Sequence, residues 1–354
     1  MRLLRRLVFL VFLAPGVFAG HVNAQAQSGR VYEFLNLPHT ARTTSMGGYA
    51  KPSFDADLGM ALSIPSMLPH QPEQQLSLSF VDYFDDIHYG TVAFSKYFEN
   101  LGHFSGALHY ISYGHFTEAD ETGMIIGSFT AGEYSMQIGW GRALNDYLSI
   151  GSNLKFIYSN FDYYNSTGLA ADIAVSYINP EHLLTASLVA RNIGRQISYY
   201  HEGGPESLPF ELVAGVSKQL SNAPFRFSLT AHNLQRFDLT YDPPLFTGEQ
   251  NRNTSGSQLN GRNTSLPDQL MRHVVFGAEF LPFDSFSLRM GYNYRRRQEM
   301  KVDTRMSTVG FSWGFAVKIS RFEFHYGRAD YHLAGSPNHI TISTDLRDLF
   351  SALE

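Results

Sequence analysis

Histidines and carboxylates are the side chains of this sequence best suited to acid–base or metal chemistry, and they are scattered. The fourteen histidines fall in separate segments, as His88, His109, His232 and His325 illustrate. The sequence contains no H-E-x-x-H, no G-x-S-x-G, no P-loop and no G-x-G-x-x-G motif. We therefore predict no catalytic residue, no metal ligand and no cofactor site.

Some charged residues stand singly within segments that alternate apolar and polar residues. Asp172, Glu211 and Glu323 are carboxylates of this kind, and the sequence shows no partner for them. Covalent catalysis needs a nucleophile, a base and a group that orients the base. The sequence therefore predicts a protein that is not an enzyme, with these residues in contact with water.

The elements that carry these residues have a period of two, which is typical of β-strands with one apolar and one polar face. Around Lys155 the apolar face holds Leu148, Ile150, Leu154, Phe156 and Tyr158, and the polar face holds Ser149, Gly151, Asn153, Lys155 and Ser159. Segments of this kind recur from Gln75 onward. They predict fourteen strands, at 75–83, 87–98, 103–113, 131–143, 147–160, 166–178, 183–192, 208–218, 224–235, 270–281, 285–296, 305–316, 319–330 and 338–346.

The predicted connections alternate in length. Short turns at 99–102, 144–146, 179–182, 219–223, 282–284 and 317–318 alternate with longer connections at 114–130, 161–165, 193–207, 236–269, 297–304 and 331–337. Only the first hairpin, 84–86, breaks this alternation. Transmembrane β-barrels have this arrangement, with tight turns on the periplasmic side and loops outside.

A soluble β-sandwich is the alternative fold, because it also alternates apolar and polar residues. The predicted strands are longer than the globular norm of about 5 to 6 residues and long enough to cross a bilayer when tilted. Charge in mid-strand fits a polar lumen better than a dry core; it occurs at Lys155, Asp172, Glu211, Arg226, Arg289 and Glu323. We therefore predict an all-β fold, a transmembrane antiparallel barrel at 75–346. Aromatic girdles are expected from Tyr97, Phe98, Tyr147, Tyr158, Tyr199, Tyr200, Phe237, Tyr292 and Tyr294.

The beginning of the chain has the features of an export signal. Arg2, Arg5 and Arg6 precede an apolar stretch from Leu7 to Phe18, and Ala24-Gln25-Ala26 supplies small residues. We predict a cleaved signal peptide at 1–26; a buried N-terminal helix is the alternative. The chain has no cysteine, which excludes disulfides and a lipid-anchored cysteine.

Composition also limits the partners. Without the three signal-peptide arginines, 24 Lys and Arg stand against 32 Asp and Glu, a net charge of −8. Nucleic acid is not expected to bind, because neutralising phosphates requires a basic face. The run Arg295-Arg296-Arg297 is expected in an external loop, either as solvated charges or as a contact for a partner or for lipopolysaccharide phosphate.

The stretch "FLNLPHTARTTSMGG" from Phe34, followed by "LGMALSIPSML", resembles the PorQ family. The match is sharpest at Leu35-Asn36-Leu37-Pro38, Ala41-Arg42 and Met46-Gly47-Gly48. These outer-membrane proteins belong to the type IX secretion system and are related to PorV and to FadL-type transporters. The resemblance implies that residues 27–74 fold into the barrel as a plug, in which Gly47 and Gly48 allow tight turns and Thr40, Thr43, Thr44 and Ser45 meet the polar wall. Residues 347–354 are then a C-terminal tail.

The resemblance also implies a function as an anchor. A PorZ-like surface protein would be held at the outer face, in an attachment complex with PorU-like and PorV-like proteins, and external loops 193–207 and 236–269 would carry recognition. The alternative is a FadL-like outer-membrane transporter of hydrophobic small molecules. That function would require an apolar pocket within the barrel.

Overall fold

The computed structural model describes residues 30–55, 57–201, 204–240, 265–300, 308–331 and 335–347. The predicted signal peptide, residues 241–264 of the predicted loop 236–269, and the tail from 348 lie outside these ranges. The strands are β1 (Gln74–Asp82), β2 (His88–Phe98), β3 (Gly102–Ala119), β4 (Ile125–Ala143), β5 (Leu148–Phe161), β6 (Tyr164–Asn179), β7 (Leu184–Ser198), β8 (Glu211–Gln219), β9 (Phe225–Ala231), β10 (Val274–Phe283), β11 (Phe286–Asn293), β12 (Phe311–Ile319), β13 (Phe322–Ala329) and β14 (Asn338–Asp345).

Each strand pairs antiparallel with its neighbours in sequence, and β1 pairs with β14 to close the sheet. Closure leaves no edge strand, so the backbone N–H and C=O groups of the wall can pair within hydrocarbon. The prediction of a fourteen-stranded antiparallel barrel is therefore confirmed, and the sandwich is excluded.

The distribution of side chains on the wall is the reverse of that in a soluble protein: apolar side chains face outward and polar side chains face inward. On β5 the side chain of Leu154 is 57% exposed, whereas Lys155 beside it is 3% exposed. Leu, Ile and Phe point outward on most strands, and Ser, Thr and charged residues point inward. An exposed apolar band of this size requires a lipid environment.

One row of aromatic residues crosses three neighbouring strands at the same level. Tyr110 lies opposite Tyr134 on β4, and Tyr134 lies opposite Tyr158 on β5. Amphipathic rings in this position are typical of a membrane interface. Of the residues expected in the girdles, Tyr97, Tyr147 and Tyr158 are exposed, whereas Tyr200 is turned inward, where its hydroxyl bonds the Ser159 side chain at 2.5 Å.

Several predicted strand ends and loops were wrong. The expected loop 114–130 is mostly strand, because His115–Glu118 pair with Gly127–Thr130 across a short turn. The expected loop 193–207 begins later, because Gln196 and Ser198 still pair with β6. β12 begins at Phe311 and the described residues 308–310 before it are not strand, while residues 305–307 of the predicted strand 305–316 lie outside the described ranges.

Helical pieces account for further differences. The helices are α1 (Ala41–Ser45), α2 (Leu58–Ser63), α3 (Leu266–Arg272) and α4 (Tyr294–Met300), and two 3₁₀ turns lie at Glu33–Asn36 and Pro65–His70. Helix α4 replaces the predicted end of a strand because the Asn293 side chain accepts from the Arg296 N–H at 3.0 Å and starts a helical turn. Within the described ranges, no helix has the length and apolar character needed to cross a membrane.

Candidate functional site in the barrel lumen

Residues 30–73, which we call the N-terminal segment, lie inside the barrel. Added Cβ atoms at Gly151, Gly215, Gly291 and Gly327 would each collide with this segment, at Pro65, Pro52, Gly47 and Ala41 respectively. These four glycines belong to β5, β8, β11 and β13, which lie on different sides of the closed wall. A segment in contact with all of them occupies the lumen.

The inward-facing glycines make room for backbone. At Gly327 a Cβ would collide with the Ala41 carbonyl oxygen, and at Gly151 it would collide with the main chain of Pro65. Main chain cannot move aside as a flexible side chain can, so a larger residue at either position is incompatible with this packing. The sequence places Gly151 on the polar face of its strand but does not reveal this reason.

Polar contacts join helix α1 to strands β12 and β14. Thr44 Oγ1 lies 2.7 Å from His339 Nδ1, and the Ala41 N–H donates to Thr341 Oγ1 at 2.9 Å. The Ser312 hydroxyl donates to the Ser45 carbonyl and accepts from the Gly47 N–H, each at 2.9 Å. The chain then reverses through Gly47 and Gly48, whose φ angles of 90° and 89° favour glycine.

A charged cluster ties helix α1 and the middle of the segment to the wall. Arg42 reaches Asp57 at 3.3 Å, Asp55 at 3.2 Å and Glu279 of the wall at 3.0 Å. Arg226 lies 2.6 Å from Asp55 and 2.8 Å from Glu279. Arg289 lies 3.0 Å from Glu279. We call the six residues the ion cluster, and its three cations balance its three anions.

Burial and neighbouring charges shift the pKa values of two ionisable groups in the segment. Burial alone would raise the pKa of Asp55, but Arg42 and Arg226 reverse the effect and hold it well below its usual range. Burial lowers the pKa of Lys51 to about 7. Its ammonium donates to Thr230 Oγ1 at 2.9 Å and to the Val275 carbonyl at 3.1 Å.

The charged residues singled out in the sequence face the lumen and find partners there. Lys155 Nζ lies 2.8 Å from Asp172 and donates to Asn192 Oδ1 at 2.9 Å. Glu211 accepts from the Tyr49 hydroxyl at 2.8 Å and lies 3.5 Å from Arg191.

Glu323 lies apart from these pairs. Its carboxylate lies 3.4 Å from His325 Nε2. Three lumen residues were not predicted from the sequence, namely Glu279, Arg191 and Tyr49, although strand alternation places the first two on the inner face. The predicted absence of catalytic, cofactor and metal sites stays a prediction.

An outer cavity of about 240 Å³ lies on the side of the longer connections. Its apolar lining comes from Leu37, Pro38, Met300 and the rings of Tyr49 and Tyr331. The Tyr49 ring stacks on His232 with centroids 4.6 Å apart.

The arginine run borders the same cavity. The Arg296 guanidinium lies over the Tyr331 ring, 4.1 Å from its centroid, while Arg295 pairs with Glu299 at 2.7 Å. These two arginines therefore have partners within the protein, and a contact with lipopolysaccharide phosphate stays a prediction.

An inner cavity of about 420 Å³ lies at the end with the short turns. Asp55, Arg226, Arg289, Lys318 and Glu323 line it, together with Phe54 and residues of the β10–β11 turn. Tyr49 lines the outer cavity and Phe54 lines the inner one. The stretch from Tyr49 to Asp55 therefore lies between the two cavities and separates them.

Comparison of the sequence with known proteins finds no match: neither a family model nor a curated protein corresponds to it. Solved structures do match. A TodX monoaromatic hydrocarbon channel carrying the deltaS2 mutation superposes with a TM-score of 0.51 at 11% identity, covering 87% of this chain and 97% of that chain.

The Pseudomonas putida toluene transporter TodX gives a TM-score of 0.50 at 8% identity, covering 87% of this chain and 96% of that one. A Pseudomonas aeruginosa FadL homologue gives 0.45 at 9%, covering 87% and 98%. Likeness this remote shows the fold alone. The shared fold and the exposed apolar band together indicate that this chain is an integral outer-membrane β-barrel.

Proposed function

We propose that this protein is a non-enzymatic outer-membrane channel for small apolar molecules, gated by its N-terminal segment. The observation that carries the proposal is the outer cavity, whose lining is mostly apolar and whose volume is about 240 Å³. Small-molecule sites are concave and largely apolar, with a few polar groups at their edge. The polar groups of this lining come from seven residues: Glu33, Asn36, His232, Asn293, Arg295, Arg296 and Glu299.

The position of the segment supports gating. A molecule in the outer cavity meets Tyr49, whose hydroxyl is held by Glu211 at 2.8 Å. Between Tyr49 and the inner cavity, the ion cluster joins the segment to the wall. Passage therefore requires the stretch from Tyr49 to Asp55 to move, and the structure corresponds to a closed state. Two structures of similar fold, described as a toluene transporter and a monoaromatic hydrocarbon channel, agree with this class of cargo.

Uptake of radiolabelled toluene by cells that produce the intact protein tests the proposal. The double variant Leu37→Asn with Met300→Asn should reduce the initial rate roughly thirtyfold, because each substitution loses on the order of 1 kcal/mol of apolar contact with the solute. Leu101→Asn, at an exposed turn on the opposite end, is the matched control and should leave the rate unchanged. Uptake no faster than in cells lacking the protein would exclude a channel.

A second function, the anchoring of a surface protein, is favoured by one element. The hairpin of β3 and β4 extends well beyond the strands on either side and offers a partner a surface outside the wall. The resemblance to PorQ supports a PorZ-like partner within a complex that also contains PorU-like and PorV-like proteins. Co-purification of one exported soluble protein, lost when 236–269 is deleted, would favour anchoring through the predicted loop.

A further inference from the structure

The end of the β3–β4 hairpin stands free of the wall. The last pair between β2 and β3 is His88 with Ser112, and the last between β4 and β5 is Ala131 with Phe161. Residues 113–130, which we call the tip hairpin, pair only with each other among the residues that the structure describes. Within the described part of the chain, both outer edges of the tip hairpin therefore present unpaired backbone groups.

The tip hairpin rises above the membrane. The row of Tyr110, Tyr134 and Tyr158 marks the interface, and beyond it the outward positions of β4 carry Gly132, Thr130 and Ser128 before Ile126 at the tip. Ile125 lies nine positions before Tyr134 in the chain. At about 3.3 Å per residue and a tilt of about 45°, the tip reaches on the order of 20 Å above the interface.

The tip presents large apolar side chains to solvent. Met124, Ile125 and Ile126 are 67%, 70% and 60% exposed. Two hydrogen bonds hold the turn that carries them: Asp120 Oδ1 accepts from the Thr122 N–H and the Met124 N–H, each at 2.9 Å. Lower down, Phe116 stacks on Phe129 with centroids 5.1 Å apart. The apolar tip is therefore a preformed surface.

The charge of the tip hairpin restricts what can cover it. Glu118, Asp120 and Glu121 are its charged residues, and residues 113–130 contain no lysine or arginine. Anionic lipid headgroups would be repelled by these carboxylates. A protein surface with an apolar pocket rimmed by lysine or arginine would complement both the tip and its charge.

We propose that the tip hairpin docks a soluble exported protein, which pairs a β-strand with the free edge of β4 at 125–130 and encloses Met124, Ile125 and Ile126 in a basic-rimmed apolar pocket. Strand addition uses the unpaired backbone groups of such an edge, and alternate side-chain pockets give specificity. The β4 edge is the more apolar of the two, since β3 carries His115, Thr117 and Glu118. This inference rests on the anchoring function.

Site-specific photo-cross-linking in intact cells tests the docking. A photoreactive amino acid replaces Ile125 in the full-length protein, and the same substitution at Tyr163, exposed at the neighbouring β5–β6 turn, is the control. The expected result is one exported protein cross-linked from 125 and absent from 163. No product from 125, or products containing only lipopolysaccharide or a second copy of this chain, would overturn the proposal.

Binding of the identified, purified partner to the barrel in nanodiscs completes the test. The double variant Ile125→Ser with Ile126→Ser should weaken binding at least tenfold, and raised salt should weaken it further, while Tyr163→Ser should not. If the partner binds equally well to the Ile125→Ser/Ile126→Ser barrel, anchoring stands and the docking site is wrong. If no exported protein binds the native barrel, the anchoring function and the docking site are both wrong. Unchanged heat-dependent electrophoretic mobility of each variant shows that the barrel is folded.

Discussion

At the scale of single residues, the lumen is organised by charges that the sequence shows only one at a time. Alternation along the strands places Lys155, Asp172, Glu211, Arg226 and Arg289 on the inner face, and the structure finds them there. Their partners follow from register and from the path of the N-terminal segment. Neither is readable from one sequence, because both depend on contacts between residues far apart in the chain.

Glu279 is the residue whose loss should cost most. It lies between Arg42, Arg226 and Arg289 at 2.8–3.0 Å, so Glu279→Gln leaves three buried cations with two carboxylates. Breaking a buried ion pair costs about 3–5 kcal/mol. We expect the urea midpoint of unfolding in detergent to fall accordingly.

Glu299→Gln is the control for that measurement. Glu299 pairs with Arg295 within helix α4, and both side chains are partly exposed. A pair of this kind contributes about 0.3–0.5 kcal/mol, so the midpoint should hardly change. Equal shifts in the two variants would show that the ion cluster does not stabilise the fold.

At the scale of elements, strand number and type were predictable, and strand ends were less so. Period-two patterning persists through all fourteen strands because one face meets lipid and the other meets a polar interior. It does not show where pairing stops: the tip hairpin alternates weakly yet pairs, and Asn293 starts a helix where the pattern continues. Local hydrogen bonds decide those ends.

The fit between wall and segment predicts a sharp difference between two glycines. Gly327→Val would drive its side chain into the Ala41 carbonyl, whereas a Cβ at Gly106 meets nothing within 4 Å. Overpacking costs roughly 1–3 kcal/mol, so Gly327→Val should loosen the segment and speed its cleavage by added protease. Gly106→Val should be cleaved at the native rate; similar rates for both would mean that the segment does not pack against β13.

At the scale of the whole molecule, a barrel of this size encloses a lumen that must be filled to be closed. The N-terminal segment fills it by contacts on several sides, with a cavity left at each end. The sequence indicated a filled barrel only through its resemblance to PorQ. It did not reveal the two cavities, because a cavity depends on the packing of strands from opposite sides of the wall.

Electrical recording from planar bilayers should show this closure. The native protein is expected to conduct ions rarely, and Arg42→Ala, which removes the segment's contact with Glu279, should raise the fraction of time in conducting states severalfold. Leu154→Ala, on the lipid-facing side, is the control and should behave as the native protein does. Continuous current through the native protein would contradict a closed lumen.

The contacts between helix α1 and β14 bear on the order of assembly. Ala41 and Thr44 bind Thr341 and His339, which lie about 300 positions later in the chain and on the strand that completes the cylinder. These bonding sites exist only once the last strand is in place. The segment therefore cannot complete its contacts before β14 is in place, and a defect in β14 leaves helix α1 without these partners.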